Sequence, residues 1–191
     1  TGEPSRRMVH RLRQQLSAVM VGVDTVIFDD PLLNIRLRGM NAHPLKVIAD
    51  THARIPLEAR VLTNDPQLTL VATTSLADAK KLKTIERMGA QVLVCPMKDN
   101  RVDLAWLTEA LGSMEIDSVM IEGGSTLAFS ALEAGIVNKV ISFIAPKILG
   151  GAEAPTAVGG AGIRTMEDAI RLSRMSIRRL GDDVVLEATI Q

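Results

Sequence analysis

An apolar run, Met120-Ile121, meets Glu122, the glycines Gly123 and Gly124 and the hydroxyl pair Ser125-Thr126, and then a helix-like segment opens. Glycines allow close backbone approach, and the first amides of a helix project free N–H groups along its positive end. A phosphate is what such a junction can hold, with the Ser125 and Thr126 hydroxyls as further donors. Strand, glycine pair and helix can also follow one another simply to reverse the chain, and the spacing is not that of a GxGxxG loop. Both readings stay open. Glu122 is the acid at a strand's carboxyl end, where open α/β sheets keep their ligands; the plainer alternative is a carboxylate bonded to nearby backbone.

A second segment, Gly22 to Arg36, places Asp29 and Asp30 at the end of a short helix, just before Pro31. Carboxylates there oppose the helix dipole, so a turn or a ligand must compensate, and an Asp-Pro turn is the plainer reading. Arg13 and Arg36 flank this element, and a guanidinium can grip a phosphate with two parallel hydrogen bonds. Arg6, Arg7 and Arg11 read as the solvated face of the first helix. His10, His43 and His52 lack the spacing of a metal site and read as structural or solvated. Cys95, inside the apolar run Gln91 to Pro96, reads as a small buried hydrophobe. No catalytic residue stands out, and neither a Ser-His-Asp arrangement, a Walker loop nor a zinc signature is present. No metal is expected.

These residues need elements to position them. Pro4 to Gln15 reads as a helix and Ala18 to Val21 as a buried strand. Asp24 is a candidate N-cap for a short helix that ends at the Asp-Pro turn. Strands follow at Leu45 to Asp50 and Leu68 to Ala72, then a helix at Leu76 to Met88. The unit repeats as a strand at Gln91 to Val94, a helix at Leu104 to Leu111, a strand at Ser118 to Ile121, a helix at Ser125 to Leu132 and a strand at Lys139 to Ala145. Such alternation argues for an α/β fold with a mainly parallel sheet covered on both faces. Pro146 to Pro155 and Gly159 to Gly162 read as loops. Arg171 to Leu180 and Val184 to Ile190 read as an antiparallel hairpin added to the sheet edge.

The 191 residues suit one domain spanning 1–191, and the formal net charge is zero. No overall field favours nucleic acid or an anionic membrane, so an anionic ligand must be met by a local cluster. One cysteine excludes an internal disulfide. No apolar stretch approaches a membrane span and no signal-peptide core opens the chain, so a cytoplasmic protein is expected. With no tyrosine, one tryptophan and three phenylalanines, a base-stacking platform is poorly supplied.

Val21 to Arg36 and Ile121 to Ala128, followed by Leu132 to Val137 and Ile144 to Gly150, together resemble the C-terminal reductase domain of bifunctional riboflavin-biosynthesis deaminase/reductases. The likeness runs along the whole chain. It implies a dihydrofolate-reductase-like fold with three layers, a homodimer, and NADPH as cofactor. The implied reaction reduces 5-amino-6-(5-phosphoribosylamino)uracil to its phosphoribityl counterpart, by hydride transfer to the ribose C1′ in its open, imine form. By resemblance, Thr25, Asp29 and Thr51 contact NADPH, while Gly124, Ser125, Thr126, Leu127, Ala128, Phe129 and Ser130 wrap its phosphate-bearing half. Arg13, Leu33 and Arg36 hold the phosphorylated substrate and Glu122 meets its polar end. The family also carries a lysine-bearing strand and a Ser-x-Trp segment ahead of the point matching Thr1. Its zinc deaminase signature is absent here, so a deaminase domain is expected either fused or separate in the cell.

Two rivals remain. One is another NADPH-dependent pyrimidine or pterin reductase of the same fold, because a fold hosts many substrates. The other is a non-catalytic domain kept for nucleotide binding or dimerisation.

Overall fold

Five strands rich in apolar residues build the centre of the molecule, and Lys46, the one charged residue within them, is buried with its Nζ donating to the Asn64 carbonyl at 3.0 Å. A computed structural model describes residues 1–36, 42–151, 154 and 156–191. In chain order the elements are α1 (Glu3–Gln15), β1 (Ala18–Gly22), α2 (Val23–Asp29), β2 (Leu45–Ala49), α3 (Arg60–Thr63), a 3-10 turn (Pro66–Leu68), β3 (Thr69–Thr73), α4 (Ala79–Arg87), β4 (Gln91–Val94), β5 (Met97–Lys98), β6 (Arg101–Val102), α5 (Leu104–Ser113), β7 (Val119–Ile121), α6 (Ser125–Glu133), β8 (Lys139–Ile144), β9 (Leu172–Leu180) and β10 (Asp183–Ile190).

The main sheet is parallel throughout, in the order β4-β3-β2-β1-β7. From β1 the chain winds outward through β2 and β3 to β4, then returns to pair β7 on the other side of β1. The strand order therefore reverses between β1 and β7, and a crevice opens at such a reversal because the flanking connections diverge to opposite faces.

Period-two alternation sends Val19, Val21, Ile48 and Val71 to one face, where Val23, Val26, Val61, Leu62 and Ile85 cover them. Ala18, Met20, Val47, Leu70 and Ala72 point the other way, onto Leu104, Leu107, Leu111, Leu127 and Ala131. The result is the three-layer α/β arrangement: α2, α3 and α4 on one face of the sheet, α5 and α6 on the other.

Several local expectations change. The α2 N-cap is Gly22, not Asp24; Asp24 lies in the first turn, where its carboxylate accepts from the Arg54 guanidinium. α4 begins three residues later than its periodicity suggests, because Asp78 accepts the Lys80 N–H and caps the helix there. Asp103 caps α5 in the same way, accepting from Ala105 and Trp106. The short pair β5 and β6 and the helix α3 carry too few residues to show a period.

The C-terminal hairpin forms as expected but does not extend the parallel sheet. β9 and β10 pair antiparallel and join β8 in a separate three-stranded sheet, β8-β10-β9. The alternating pattern specified antiparallel pairing but carried no information about which strand the pair would meet. The loop expected over Pro146 to Pro155 is only partly within the described residues, since 152, 153 and 155 lie outside them.

Candidate functional site

At the carboxyl edge of the parallel sheet lies a cleft of about 670 Å³, built by the segments that follow β1, β2 and β7 and by the β5–β6 hairpin. Gly22, Thr25, Asp29, Thr51, Gly124, Ser125, Thr126, Leu127 and Ser130 all line it. This brings together two regions a hundred residues apart, because β1 and β7 are sheet neighbours with Met20 opposite Ile121.

The floor is set by glycine. Gly123 and Gly124 have φ of +79° and +84°, and a Cβ on Gly123 would stand 3.3 Å from Thr25 Oγ1 and Cγ2. One on Gly124 would meet Thr25 Oγ1 and Leu127 Cβ at 3.5 Å. Positive φ and close approach of α2 together require residues without side chains. Gly124 is the α6 N-cap and supplies no side-chain cap, so the first amides of α6 have no helical partner. Such a cradle fits the phosphates of a dinucleotide.

Ala128 and Phe129 do not line the cleft. Helical rotation turns Phe129 into the interior, and Gly160 sits where a Cβ would lie 2.9 Å from its ring. The same loop donates the Gly159 N–H to the Ser125 carbonyl at 3.0 Å, so a glycine strap lies against the first turns of α6.

Beside the glycines stands a charged group. Arg13 donates through Nε and Nη2 to Glu122 Oε2 and Oε1 at 2.8 and 2.6 Å, and through Nη1 to the Asn34 carbonyl at 2.7 Å. Arg36 donates its backbone N–H to His10 Nδ1 at 3.4 Å and its Nε to Asn34 Oδ1 at 3.1 Å. Its guanidinium has no carboxylate partner among the described residues. Burial, with Arg13 and Arg36 nearby, holds the His10 pKa below the ordinary histidine value. Leu33, expected at the substrate, is 3% exposed and packs in the core, with its backbone at φ +51°.

Asp30 serves the turn. It ends α2 in the left-handed region and its Oδ1 accepts the Arg60 N–H at 2.8 Å. Asp29 is exposed at the cleft.

Composition and motif reading passed over several lining residues: Phe28, His52, Arg54, Asn100, Arg101 and Thr156. Phe28 is 83% exposed, an apolar plate at the cleft mouth in a protein poor in aromatics. His52 and Arg54 follow β2 as Glu122 follows β7, so the carboxyl-end rule applied to β2 as well marks them. Their loop is fixed from beneath by the wholly buried Asp50, whose Oδ2 accepts the Ile55 N–H at 2.8 Å and whose carbonyl accepts that of Ala53. Asp50 Oδ1 is buried without a partner among the described residues.

A second hollow, about 530 Å³, lies between α1 and β9. Two of its guanidiniums, Arg7 and Arg178, are neutralised by Glu3 and Glu187. Cys95 is buried and its thiol is pushed up to about 11, first by burial and then by Asp103, which keeps it an inert thiol. Among the described residues, no group of three His, Cys, Asp or Glu is placed to hold a metal, and no helix is long and apolar enough to cross a membrane.

The family model of the RibD C-terminal domain matches residues 1–186. The riboflavin biosynthesis protein RibD of Actinobacillus pleuropneumoniae is 42% identical over 190 residues, which are all of this chain but 50% of that protein. A 2,5-diamino-6-ribosylamino-4(3H)-pyrimidinone 5′-phosphate reductase of Methanothermobacter thermautotrophicus is 40% identical over 193 residues, 88% of its length. The solved RibD of Acinetobacter baumannii superposes with a TM-score of 0.84 at 28% identity, over all of this chain and 51% of that one. The riboflavin biosynthesis reductase Rib7 of Saccharomyces cerevisiae gives 0.79 at 27% identity, over 99% and 82%. The chain thus spans about half of the RibD proteins it matches and most of the stand-alone reductases.

Proposed function

Because the chain belongs to the RibD C-terminal domain family, the reductases of riboflavin biosynthesis, we propose that it reduces 5-amino-6-(5-phosphoribosylamino)uracil to the phosphoribityl compound with NADPH, in the cytoplasm. The observation that carries this reading is the glycine-floored cleft at the reversal between β1 and β7, joined through Glu122 to the guanidinium of Arg13, which shares Asn34 as a partner with Arg36. One region suits the phosphates of a dinucleotide; the other suits a phosphorylated sugar.

When bound, the nicotinamide supplies a hydride for the ribose C1′; the protein's work is orientation and electrostatics. Gly124, Ser125 and Thr126 present amides and hydroxyls to the phosphate-bearing half, and Thr25, Asp29 and Thr51 border it. Arg36, with no carboxylate partner among the described residues, takes the substrate phosphate. Arg13 is already gripped by Glu122, so the two act as one unit: Glu122 orients the guanidinium and keeps an acceptor edge toward the polar ring. A surface-exposed edge strand supports a homodimer, because β9 carries Met175 and Ile177 outward and, among the described residues, pairs with β10 alone. Relatives of both lengths make the deaminase either a fused neighbour or a separate chain.

The experiment is turnover by the full-length gene product, following NADPH absorbance with the ribosylaminopyrimidine phosphate and with a pterin. Turnover of the former supports the proposal. Turnover of the pterin alone selects the related-reductase reading, and none with either, from folded protein, selects a non-catalytic domain.

A further inference from the structure

The cleft has two guanidiniums that the dinucleotide's shared features do not account for. Arg101 donates from Nη1 to Ser130 Oγ at 3.0 Å, so its charge is held against α6 at the cleft. Arg54 stands on the opposite wall, on the loop after β2, and its Nη2 donates to Asp24 Oδ1 at 2.6 Å. Both partners line the cleft and both remain half-exposed, 50% for Arg54 and 62% for Asp24.

Such a pair presents two opposite recognition elements at one point. A carboxylate accepts a hydrogen bond from a ribose 2′-hydroxyl, whereas a guanidinium fork takes a 2′-phosphate, and dinucleotide sites choose between cofactors by which of the two they offer. Asp24 neighbours Thr25, whose hydroxyl contacts the glycine floor, so the pair lies one residue beyond the pyrophosphate cradle. The loop carrying Arg54 is also preorganised. Buried Asp50 accepts the N–H groups of Ile55 and Ala53, and the Thr51 carbonyl accepts the Thr74 hydroxyl at 2.8 Å. A rigid loop lets the side chain exchange one partner for another without reordering the backbone.

We infer that Arg54, released from Asp24, receives the 2′-phosphate of the dinucleotide and sets the preference for NADPH over NADH, while Asp24 opposes that phosphate and favours the 2′-hydroxyl. The inference rests on the reductase reading and deepens it. The two carboxylate–guanidinium partners are exchanged, not removed: a dianionic phosphate outcompetes one carboxylate for the fork, and a neutral hydroxyl does not.

The test is a titration of the chain with NADPH and NADH, read by nicotinamide fluorescence, with 2′-AMP and 5′-AMP as competing probes. Replacing Arg54 with alanine, Arg54→Ala, is expected to weaken NADPH binding by about 10- to 100-fold, the usual worth of a charge-assisted pair, and to change NADH by less than about threefold. Asp24→Asn is expected to tighten NADPH and loosen NADH. In the wild type 2′-AMP competes better than 5′-AMP, and Arg54→Ala removes that difference. Unfolding curves keep folding separate from binding, and both side chains are exposed enough for the variants to fold. Equal losses for both dinucleotides in Arg54→Ala, or no loss, overturn the inference while leaving the reductase reading intact. A folded wild type that binds neither dinucleotide overturns both.

Discussion

Arg13 on the first helix clasps Glu122 at the end of β7 with two parallel hydrogen bonds, across 109 positions of sequence. Both side chains are largely buried, so the pair is screened less than a surface bridge. Glu122→Ala leaves the guanidinium with only the Asn34 carbonyl and is expected to destabilise the fold by about 1.5–3 kcal/mol. Arg13→Ala should do the same. Urea unfolding of both single variants and the double variant checks this; the double variant is expected to lose less than the sum, and strict additivity would show the residues uncoupled.

Gly124→Val introduces a branched side chain at φ +84°, against Thr25 and Leu127. NADPH binding is expected to vanish in calorimetry while far-ultraviolet dichroism stays native, since the change sits in a surface cradle and not in the core. Unchanged affinity would remove the cradle from the site.

Arg36 is a guanidinium beside the site without a carboxylate partner among the described residues. Arg36→Ala is expected to lower kcat/KM for the sugar-phosphate substrate by roughly ten- to a hundredfold, with NADPH affinity hardly moved. Arg36→Lys should recover only part, because an ammonium cannot reproduce a two-pronged contact. Loss of NADPH binding with an unchanged substrate KM would exchange the two ligand positions.

His10 faces Arg13, Arg36 and Glu122, and burial first, then the two guanidiniums, lowers its pKa from the ordinary 6.5. Protons therefore bind the unfolded chain more readily than the folded one. The resulting stability is fully present above pH 6.5 and is lost as the pH falls from there through the lowered folded value. Denaturant midpoints measured from pH 7.5 downward should fall, and His10→Asn should flatten that slope; identical slopes would dissociate His10 from it.

Asp50 holds the β2 loop from below through Ile55. Asp50→Ala leaves that N–H without its acceptor and is expected to cost about 1–3 kcal/mol and to weaken dinucleotide binding. Asp50→Asn keeps an acceptor oxygen and should cost less. Thermal melts of the two variants decide it, and equal stabilities would mean that the hydrogen bond carries none of the effect.

The order of elements was legible in the chain itself, because apolar strands and periodic helices obey local rules of spacing: Ala18 to Val21, Leu45 to Ala49 and Ser125 to Glu133 form where their periods place them. The phosphate-suited character of Gly123-Gly124-Ser125 was legible for the same reason, since glycine dihedrals and free helix amides are properties of adjacent residues. What only the tertiary structure decided is proximity between distant segments. Pairing of β1 with β7 placed Thr25 over Gly123, and the tertiary fold brought Arg13 of α1 onto Glu122 instead of leaving it open to solvent. Leu33 shows the same limit from the other side: the resemblance places it at the substrate, and only the packing of the fold shows it buried in the core. The position of Arg54 after β2 is a local signal, but its pairing is not, because its partner, Asp24, lies thirty residues earlier and is brought to it by the parallel register of β1 and β2.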